Sequence, residues 1–230
     1  ESAGGVAASA LDLGVLLEEF GRAAVNTPFR HSTAAAAIVA AAAPSALRDE
    51  VLAGLASGDI VGAVALTEPG WGYRRYGETT SVTPAGGGYC LAGRKAVVPF
   101  AGAASWLVVL TRLDGQPCVL LVQGGSPGVT MTRRNSVGGE PLYDVELDAE
   151  VPAAAQLAFE GDAATAIERQ IDLMVLMNCA ETVGVMGEML EGGGNPWRGM
   201  LFGMTNRLPW AGDPRPLADD IEKIAKFRRC

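Results

Sequence analysis

The chain has 230 residues, 49% of them hydrophobic, which is enough to bury a core in one large domain or two smaller ones. With 18 Lys+Arg against 26 Asp+Glu, the net charge of −8 argues against nonspecific electrostatic binding to nucleic acid or to an anionic membrane. No basic n-region followed by an apolar h-region opens the sequence, and the Ala-rich run from Ala34 to Ala43 is shorter than the roughly 20 residues that cross a bilayer. We therefore expect a cytoplasmic protein without a membrane span.

The cysteines and the single histidine limit the chemistry of the chain. The four cysteines have neither CxxC spacing nor a nearby histidine, so we expect free thiols and no metal site: Cys90, Cys118, Cys179 and Cys230. His31 follows Pro28, Phe29 and Arg30 in a link rich in helix breakers, and we expect it to be a solvated loop residue. One histidine excludes a metal site built on two histidines within this chain.

The first sixty residues have the pattern of three helices. From Leu11 to Ala24, apolar residues recur at helical spacing opposite two glutamates, which predicts an amphipathic helix. An Ala-rich second helix is expected from Thr33 to Ala43, ending near Pro44. A third helix is expected from Ser45 to Leu55, with Ser45 as its N-cap.

The hydrophobic pattern changes at Ile60 to short apolar runs separated by Gly, Asp, Pro or Ser. These runs predict strands at Val61–Leu66, Tyr89–Leu91, Ala96–Val98, Trp106–Thr111, Cys118–Gln123, Val129–Arg133 and Leu142–Leu147. Several strands at such close spacing are typical of a small antiparallel barrel or sandwich. We therefore expect a β domain over about residues 60–155.

After Pro152 the pattern returns to helix, from about Asp162 to Glu191. The texture changes again at Gly192, because residues 192–230 hold 7 Lys+Arg and 4 Asp+Glu whereas the rest of the chain is strongly acidic. A short basic helix is expected from Asp219 to Arg229. The predicted class is α+β, with a helical N-terminal piece (1–59), a middle antiparallel β-barrel domain (60–155), one long C-terminal helix (156–191) and an unassigned tail (192–230).

A run of motifs in collinear order resembles the acyl-CoA dehydrogenase family over about residues 5–191. The central one is Leu66-Thr67-Glu68-Pro69-Gly70, which is similar to the LTEP motif of that family. An LLEEFGR helix precedes it at Leu16–Arg22, and YCLAGRK follows it at Tyr89–Lys95. Without these flanking matches, the five residues would be interpreted as a turn with Glu68 in water.

The resemblance implies that FAD binds to the β domain. The LTEP segment would run beneath the flavin, with the Thr67 hydroxyl and nearby backbone groups of Leu66 and Glu68 bonding the isoalloxazine ring. Where the family has Gly-Ser-Asp, this chain has Gly72-Tyr73-Arg74; where the family has Trp-Ile-Thr, it has Val97-Val98-Pro99. Pro99 has no hydroxyl and no amide hydrogen, so one expected flavin donor is lost.

Two arginine pairs have two interpretations. Arg74 and Arg75 would either meet phosphates of FAD or CoA or form a solvated loop pair, and Arg133 and Arg134 have the same alternatives.

The resemblance does not supply a catalytic base. In most of the family this glutamate lies in a rear helical bundle, and in a minority it lies about ten residues before a glycine that matches Gly184. That position is Met174 here, and we expect Glu168, Asp172 and Glu181 to occupy a solvated helix face. The catalytic residue is therefore unknown.

Three functions remain open from the sequence. The first is an acyl-CoA dehydrogenase of lipid metabolism that passes electrons to an electron-transfer flavoprotein or similar acceptor and forms oligomers, with this chain alone inactive. The second is a non-catalytic partner subunit of a heteromeric dehydrogenase. The third is a CoA-ester-binding module without redox activity.

Overall fold

The structure is a computed structural model that describes residues 9–70 and 79–191. The predictions for Gly72, Tyr73, Arg74 and Arg75, and the prediction of a basic helix in the tail, lie outside these residues. None of the described helices combines the length and the apolar character needed to cross a bilayer.

Three helices have the caps that their sequences indicate. α1 (Ala10–Arg22) begins with a capping box, in which Asp12 N donates to Ser9 Oγ at 3.2 Å and Ser9 N donates to Asp12 Oδ2 at 2.8 Å. α3 (Ala46–Ser57) follows the predicted cap, because Arg48 N donates to Ser45 Oγ at 3.2 Å. α4 (Ala163–Glu191) follows Asp162, whose Oδ2 accepts from Thr165 N at 3.1 Å.

The prediction of a solvated His31 is wrong. α2 (Phe29–Ala41) begins four residues earlier than expected and includes His31, which is 8% exposed. Its Nε2 lies 2.6 Å from Glu140 Oε1, and its ring centroid lies 5.5 Å from that of Phe100. Burial is tolerated because the imidazole has both a hydrogen-bond partner and an aromatic neighbour. Glu140 is 109 residues away in the chain, so no local pattern indicates the pair.

Eight strands form one mixed sheet, which confirms the α+β class. The strands are β1 (Gly62–Ala65), β2 (Ser81–Ala85), β3 (Gly88–Pro99), β4 (Trp106–Leu113), β5 (Gln116–Gln123), β6 (Val129–Arg134), β7 (Leu142–Pro152) and β8 (Gln156–Leu157). The pairing order is β6-β7-β3-β2-β4-β5-β8, with β1 also on β4. Because β1 and β2 both run parallel to β4, the sheet is not purely antiparallel as expected. Its pairing is an open path rather than a closed barrel.

Two strands differ from the sequence-based expectation. β2 is missing from the predicted set because Ser81-Val82-Thr83-Pro84-Ala85 has no apolar run. β3 is one strand of 12 residues where two short runs were expected. Gly93, Arg94 and Lys95 interrupt its apolar pattern, yet all three pair with β7. Gly93 has φ +152, and a Cβ there would lie 2.6 Å from the Thr80 Cα, which explains why this position is glycine.

The sheet buries one hydrophobic core. Its members include residues that are no more than 1% exposed, among them Leu107, Val109, Leu120, Val122 and Val145. Burying each such Val or Leu side chain stabilises the fold by about 1.5–3 kcal/mol. Cys118 belongs to this core, and burial raises the pKa of its thiol to about 11 against a hydrogen bond with Gln156 that lowers it, so it is a packing residue.

The chain divides into two compact units. Among the described residues, the first comprises 26–176 with the whole sheet, and the second comprises 9–25 with 177–191. Within the second unit, α1 and α4 cross backbone to backbone. A Cβ on Gly21 would lie 1.9 Å from the carbonyl oxygen of Glu181, and a Cβ on Gly184 would lie 1.8 Å from that of Glu18. Only glycine permits this approach.

Replacing Gly21 by alanine should therefore destabilise the chain. The added methyl has no space, and forcing methyl-sized groups into a tight contact costs about 1–3 kcal/mol. Gly14, on the same helix, has nothing within 4 Å of its would-be Cβ. Gly14→Ala should stabilise by about 0.5–1 kcal/mol, because alanine is the better helix former. Thermal unfolding followed by circular dichroism measures both variants, and equal shifts of the same sign would contradict the close crossing.

Candidate functional site

A buried lysine occupies a gap in the strand ladder along β4. β1 pairs with Trp106–Val109 of β4, and β2 reaches β4 only at Arg112, so Leu110 lies between the two pairings. Lys95 Nζ donates to the Leu110 carbonyl at 2.5 Å and to the Leu66 carbonyl at 3.4 Å. The lysine is fully buried. Its ammonium group therefore satisfies carbonyls that no strand reaches.

Glu68 is the counter-ion of this lysine. Its Oε1 lies 2.8 Å from Lys95 Nζ, and the side chain of neither partner is exposed. The same carboxylate accepts from Thr79 N and Thr79 Oγ1 at 2.7 Å each, and from Thr80 N at 3.1 Å. Glu68 therefore joins the end of the LTEP segment to the start of β2.

The hydrogen bonds of Glu68 decide its protonation. Burial alone would raise the pKa of this carboxyl, but the bonds from Lys95, Thr80 and Thr79 outweigh burial and lower its pKa to about 2. Burial lowers the pKa of Lys95, and Glu68 opposes that change. The pair is thus an ion pair at neutral pH, and Glu68 is fixed in the structure rather than available as an acid or a base.

The structure brings together the two motifs that the sequence predicts to contact a flavin. Ala96 N donates to the Thr67 carbonyl at 2.8 Å, so the LTEP segment runs beside β3. At this point β3 has a bulge, in which the pairing with β7 shifts between Lys95 and Val98. Val97 lies in the bulge at φ +56, and its side chain is 52% exposed. A β-branched residue at positive φ is strained by about 1–3 kcal/mol, and such strain is concentrated at functional sites.

A cleft of about 420 Å³ lies beside the bulge. Its lining is Pro69, Arg94, Ala96, Val97, Arg134, Asn135, Leu142 and Asp144. The charged lining residues are two arginines and one aspartate, which together are net positive. Asp144 is 3% exposed and is held by Arg94 Nη2 and by Arg134, whose Nε donates to Oδ2 at 2.7 Å. Arg134 lowers the pKa of Asp144 to about 2 against burial, with Arg94 and Val97 N contributing, so this carboxylate is ionised at neutral pH.

The other sequence-predicted site residues have different surroundings. Leu66 and Thr67 are half-buried, and Pro99 is the half-buried last residue of β3. Val98 is 1% exposed and belongs to the hydrophobic core. The bulge explains the difference, because Ala96 and Val97 both line the cleft and regular pairing with β7 resumes only at Val98. Arg133 is exposed, whereas Arg134 pairs with Asp144.

Sequence reasoning missed the charged residues that shape the cleft. Arg94, Lys95 and Asp144 lie within apolar strands, and a charge in such a run is the signal that marks a buried pair. The pattern does not identify the partner, because Lys95 and Glu68 are 27 residues apart and Arg94 and Asp144 are 50 apart.

The residues considered for proton abstraction lie on α4. In the first unit, Met174 and Glu168 are half-buried and Asp172 is exposed. In the second unit, Glu181 is half-buried and Gly184 lies in the crossing with α1. Within the first unit, neither Glu168 nor Asp172 lines the cleft.

The Lys95→Met variant should lose about 3–5 kcal/mol of stability, because it leaves the Glu68 carboxylate buried without its counter-ion. The double variant Lys95→Met with Glu68→Leu should recover much of this loss, because no charge then remains buried. Urea unfolding of wild type, both single variants and the double variant completes the cycle. Additive losses would show that the two side chains do not interact.

Acid should unfold the wild type partly through Glu68. The pKa of this carboxyl is lowered from 4.5 to about 2 in the folded chain, so its contribution to stability is complete above about pH 4.5 and is lost as the pH falls toward 2. Glu68→Gln should therefore be less stable at pH 7 and lose less stability between pH 5 and pH 2. Unfolding free energies measured across this range test the sign, and parallel pH profiles for the two proteins would contradict it.

Family models match two parts of the chain. Residues 63–149 match the model "Acyl-CoA dehydrogenase, middle domain". Residues 160–209 match the model "Glycoside hydrolase 123, TIM-barrel domain". The described part of the second match contains only α4 and no strand, whereas a TIM barrel alternates strands and helices. The fold of the described residues therefore supports the first match and not the second.

Several solved structures are similar to this chain in fold. The ChsE4-ChsE5 complex from Mycobacterium tuberculosis matches at 25% identity and TM-score 0.75, covering 84% of this chain and 51% of that chain. The Tcur3481-Tcur3483 steroid ACAD G363A variant matches at 29% identity and TM-score 0.73, again covering 84% and 51%. A glutaryl-CoA dehydrogenase from Mycobacterium smegmatis in complex with FADH2 matches at 19% identity and TM-score 0.73, covering 95% and 57%, and shows the shared fold.

The chain spans little more than half the length of these structures. Within that span, the motifs, the mixed sheet and the family match agree. The chain is therefore similar to the acyl-CoA dehydrogenases, and its residues 63–149 match the middle-domain model of that family.

Proposed function

We propose that this chain supplies the β-domain wall of an FAD site in an enzyme that dehydrogenates an acyl-CoA thioester between its α and β carbons. The observation that carries the proposal is the 2.8 Å hydrogen bond from Ala96 N to the Thr67 carbonyl. It places the LTEP segment against the bulge that presents Val97 to the cleft. The relatives named above support the reaction class, and the bound FADH2 in one of them supports the cofactor.

The residues around the cleft fit one face of a flavin. A volume of about 420 Å³ is in the range of small-molecule sites. Val97, Leu142 and Pro69 line the cleft and offer apolar surface for a planar ring. Thr67 is not a lining residue, but its segment lies beside β3 and its hydroxyl would be a donor without net charge. The net positive arginines suit an anionic cofactor. Pro99 is the exception, because it offers no hydrogen-bond donor.

When bound, FAD would supply the hydride acceptor for the β carbon, and a base would be needed for the α proton. The chain's own residues bind and orient. Val97 would exclude water from one side of the site, the Thr67 hydroxyl would donate to the cofactor, and Arg94 and Arg134 would balance negative charge. Glu68 does not exchange protons, because its carboxylate is fully engaged by Lys95, Thr79 and Thr80.

The proposal assigns no catalytic base to this chain. The reaction needs a carboxylate within hydrogen-bond reach of the substrate α carbon. Met174, at the position where a minority of the family has its glutamate, cannot accept a proton. We therefore infer that the chain alone does not oxidise acyl-CoA, and that electron transfer to a flavoprotein acceptor belongs to the complete oligomer.

A second candidate function is that of a non-catalytic subunit in a heteromeric dehydrogenase. Two features of this chain favour it, the missing donor at Pro99 and the methionine at position 174. Two of the similar structures carry paired names, ChsE4-ChsE5 and Tcur3481-Tcur3483, and the first is a complex. Copurification with an intact homologue, with turnover only in the mixture, distinguishes this candidate from a self-sufficient enzyme.

A fluorescence titration with FAD tests the proposed site. Wild type should bind FAD weakly, with a dissociation constant above about 1 μM. The reason is that the chain spans about half the length of the similar structures, so the contacts made by the other half are not available. Val97→Asp should weaken binding about tenfold or more, because it places a charge against an apolar ring face. Submicromolar binding by wild type would contradict the expectation of an incomplete site.

Val137→Asp is the matched control. Val137 is an exposed valine, at 71%, in the same unit, and it does not line the cleft. Its substitution should leave FAD binding unchanged. Equal weakening by Val97→Asp and Val137→Asp would place the flavin elsewhere, and no binding at any FAD concentration would overturn the proposed function.

A further inference from the structure

The feature that the proposed function does not explain is the buried aspartate on β7 opposite the bulge. Asp144 lies where the pairing skips from Lys95 with Val145 to Val98 with Tyr143. It therefore lies opposite two residues of β3, Ala96 and Val97, so β3 has one extra residue at this point. Val145, its neighbour, belongs to the hydrophobic core, so Asp144 points to the other face of the sheet.

Asp144 contacts the strained residue through its backbone. Val97 N donates to Asp144 Oδ1 at 3.4 Å, while Oδ2 accepts from Arg94 and Arg134. The two oxygens thus have separate partners. Oδ1 accepts from the backbone amide of Val97, which has a positive φ, and Oδ2 accepts from two guanidinium groups that fix the orientation of the carboxylate.

The three charged side chains differ in their exposure to solvent. Asp144 is buried, but the side chains of Arg94 and Arg134 are 42% and 53% exposed and line the cleft. A carboxylate buried at a cleft is costly unless it is paired. Here the two arginines pair with the carboxylate, and the carboxylate in turn accepts from Val97 N. Val97 has no pairing partner on β7 within the bulge.

We propose that Asp144 is a positioning residue: by accepting the Val97 amide hydrogen while Arg94 and Arg134 hold it, it fixes Val97 in the left-handed conformation that presents its side chain to the cleft. The inference rests on the proposed function, because the presented side chain is the wall for the flavin ring. Asp144 itself does not touch the cofactor. It acts through the Val97 backbone.

The direction in which Asp144→Ala changes the affinity for FAD distinguishes this positioning role from a purely electrostatic one. Asp144→Ala removes the acceptor, and FAD binding should weaken roughly tenfold as the bulge relaxes. If Asp144 affected only charge, its removal would leave two unpaired arginines, and an anionic ligand would bind more tightly. Asp144→Asn keeps an oxygen that can accept from Val97 N, so it should recover part of the loss. Asp148→Ala, an exposed aspartate on the same strand, should leave binding unchanged.

A double-mutant cycle identifies Val97 as the residue through which Asp144 acts. Glycine adopts positive φ without strain, so Val97→Gly removes the need for a residue that enforces it. Asp144→Ala should then cause little further loss in the Val97→Gly background. Additive losses in the cycle, or tighter binding by Asp144→Ala, would overturn the inference while the proposed function stands.

A measurement without FAD keeps the test independent of the proposed site. Hydrogen exchange of the Val97 amide, followed by NMR, should accelerate in Asp144→Ala and stay at the wild-type rate in Asp148→Ala. Circular dichroism melting checks that each variant folds. Unchanged exchange at Val97 in a folded Asp144→Ala would overturn the inference even if wild type bound no FAD, and that absence of binding would separately overturn the proposed function.

Discussion

The buried ion pair between Lys95 and Glu68 fixes the relative positions of the segments that form the proposed site. Lys95 and Glu68 are both inaccessible to solvent, and their charged ends meet in the gap that β1 and β2 leave along β4. Desolvating two charges is costly, and the cost is offset here because each charge also has backbone partners. The LTEP segment, the start of β2 and the bulge of β3 are all within one or two residues of this pair. Their relative positions therefore follow from it.

Local physics was sufficient to predict most helices and many strands. Helical spacing of apolar residues and the capping side chain Ser45 indicate where α1, α3 and α4 lie, because the relevant contacts are a few residues apart. The β domain could be located from short apolar runs. β2 and the middle of β3 could not, because Pro84 and the run Gly93-Arg94-Lys95 contradict the usual strand pattern until their distant partners are known.

The candidate site also depends on contacts between residues that are distant in the chain, which the sequence alone does not indicate. The resemblance identified Thr67 and the segment from Val97 to Pro99, and the structure places these residues side by side. It did not distinguish Val97 from Val98, one exposed and the other in the core, because the bulge that decides their faces depends on pairing with β7. A valine at positive φ has no signature in sequence, since glycine is the residue that usually marks such a position. His31 and Glu140 form another pair that only the fold brings together.

The hydrogen bonds from Thr79 and Thr80 to Glu68 affect how well the domain tolerates changes in the length of the connection between these residues. The two residues that flank the segment from 69 to 78, Glu68 and Thr79, are joined by this carboxylate. Closing a longer connection costs only about 0.6 kcal/mol for each doubling of its length. The departure from the family at Gly72-Tyr73-Arg74 falls within this segment. We therefore expect a change in the length of this connection to cost little stability as long as Glu68 keeps its contacts with Thr79 and Thr80.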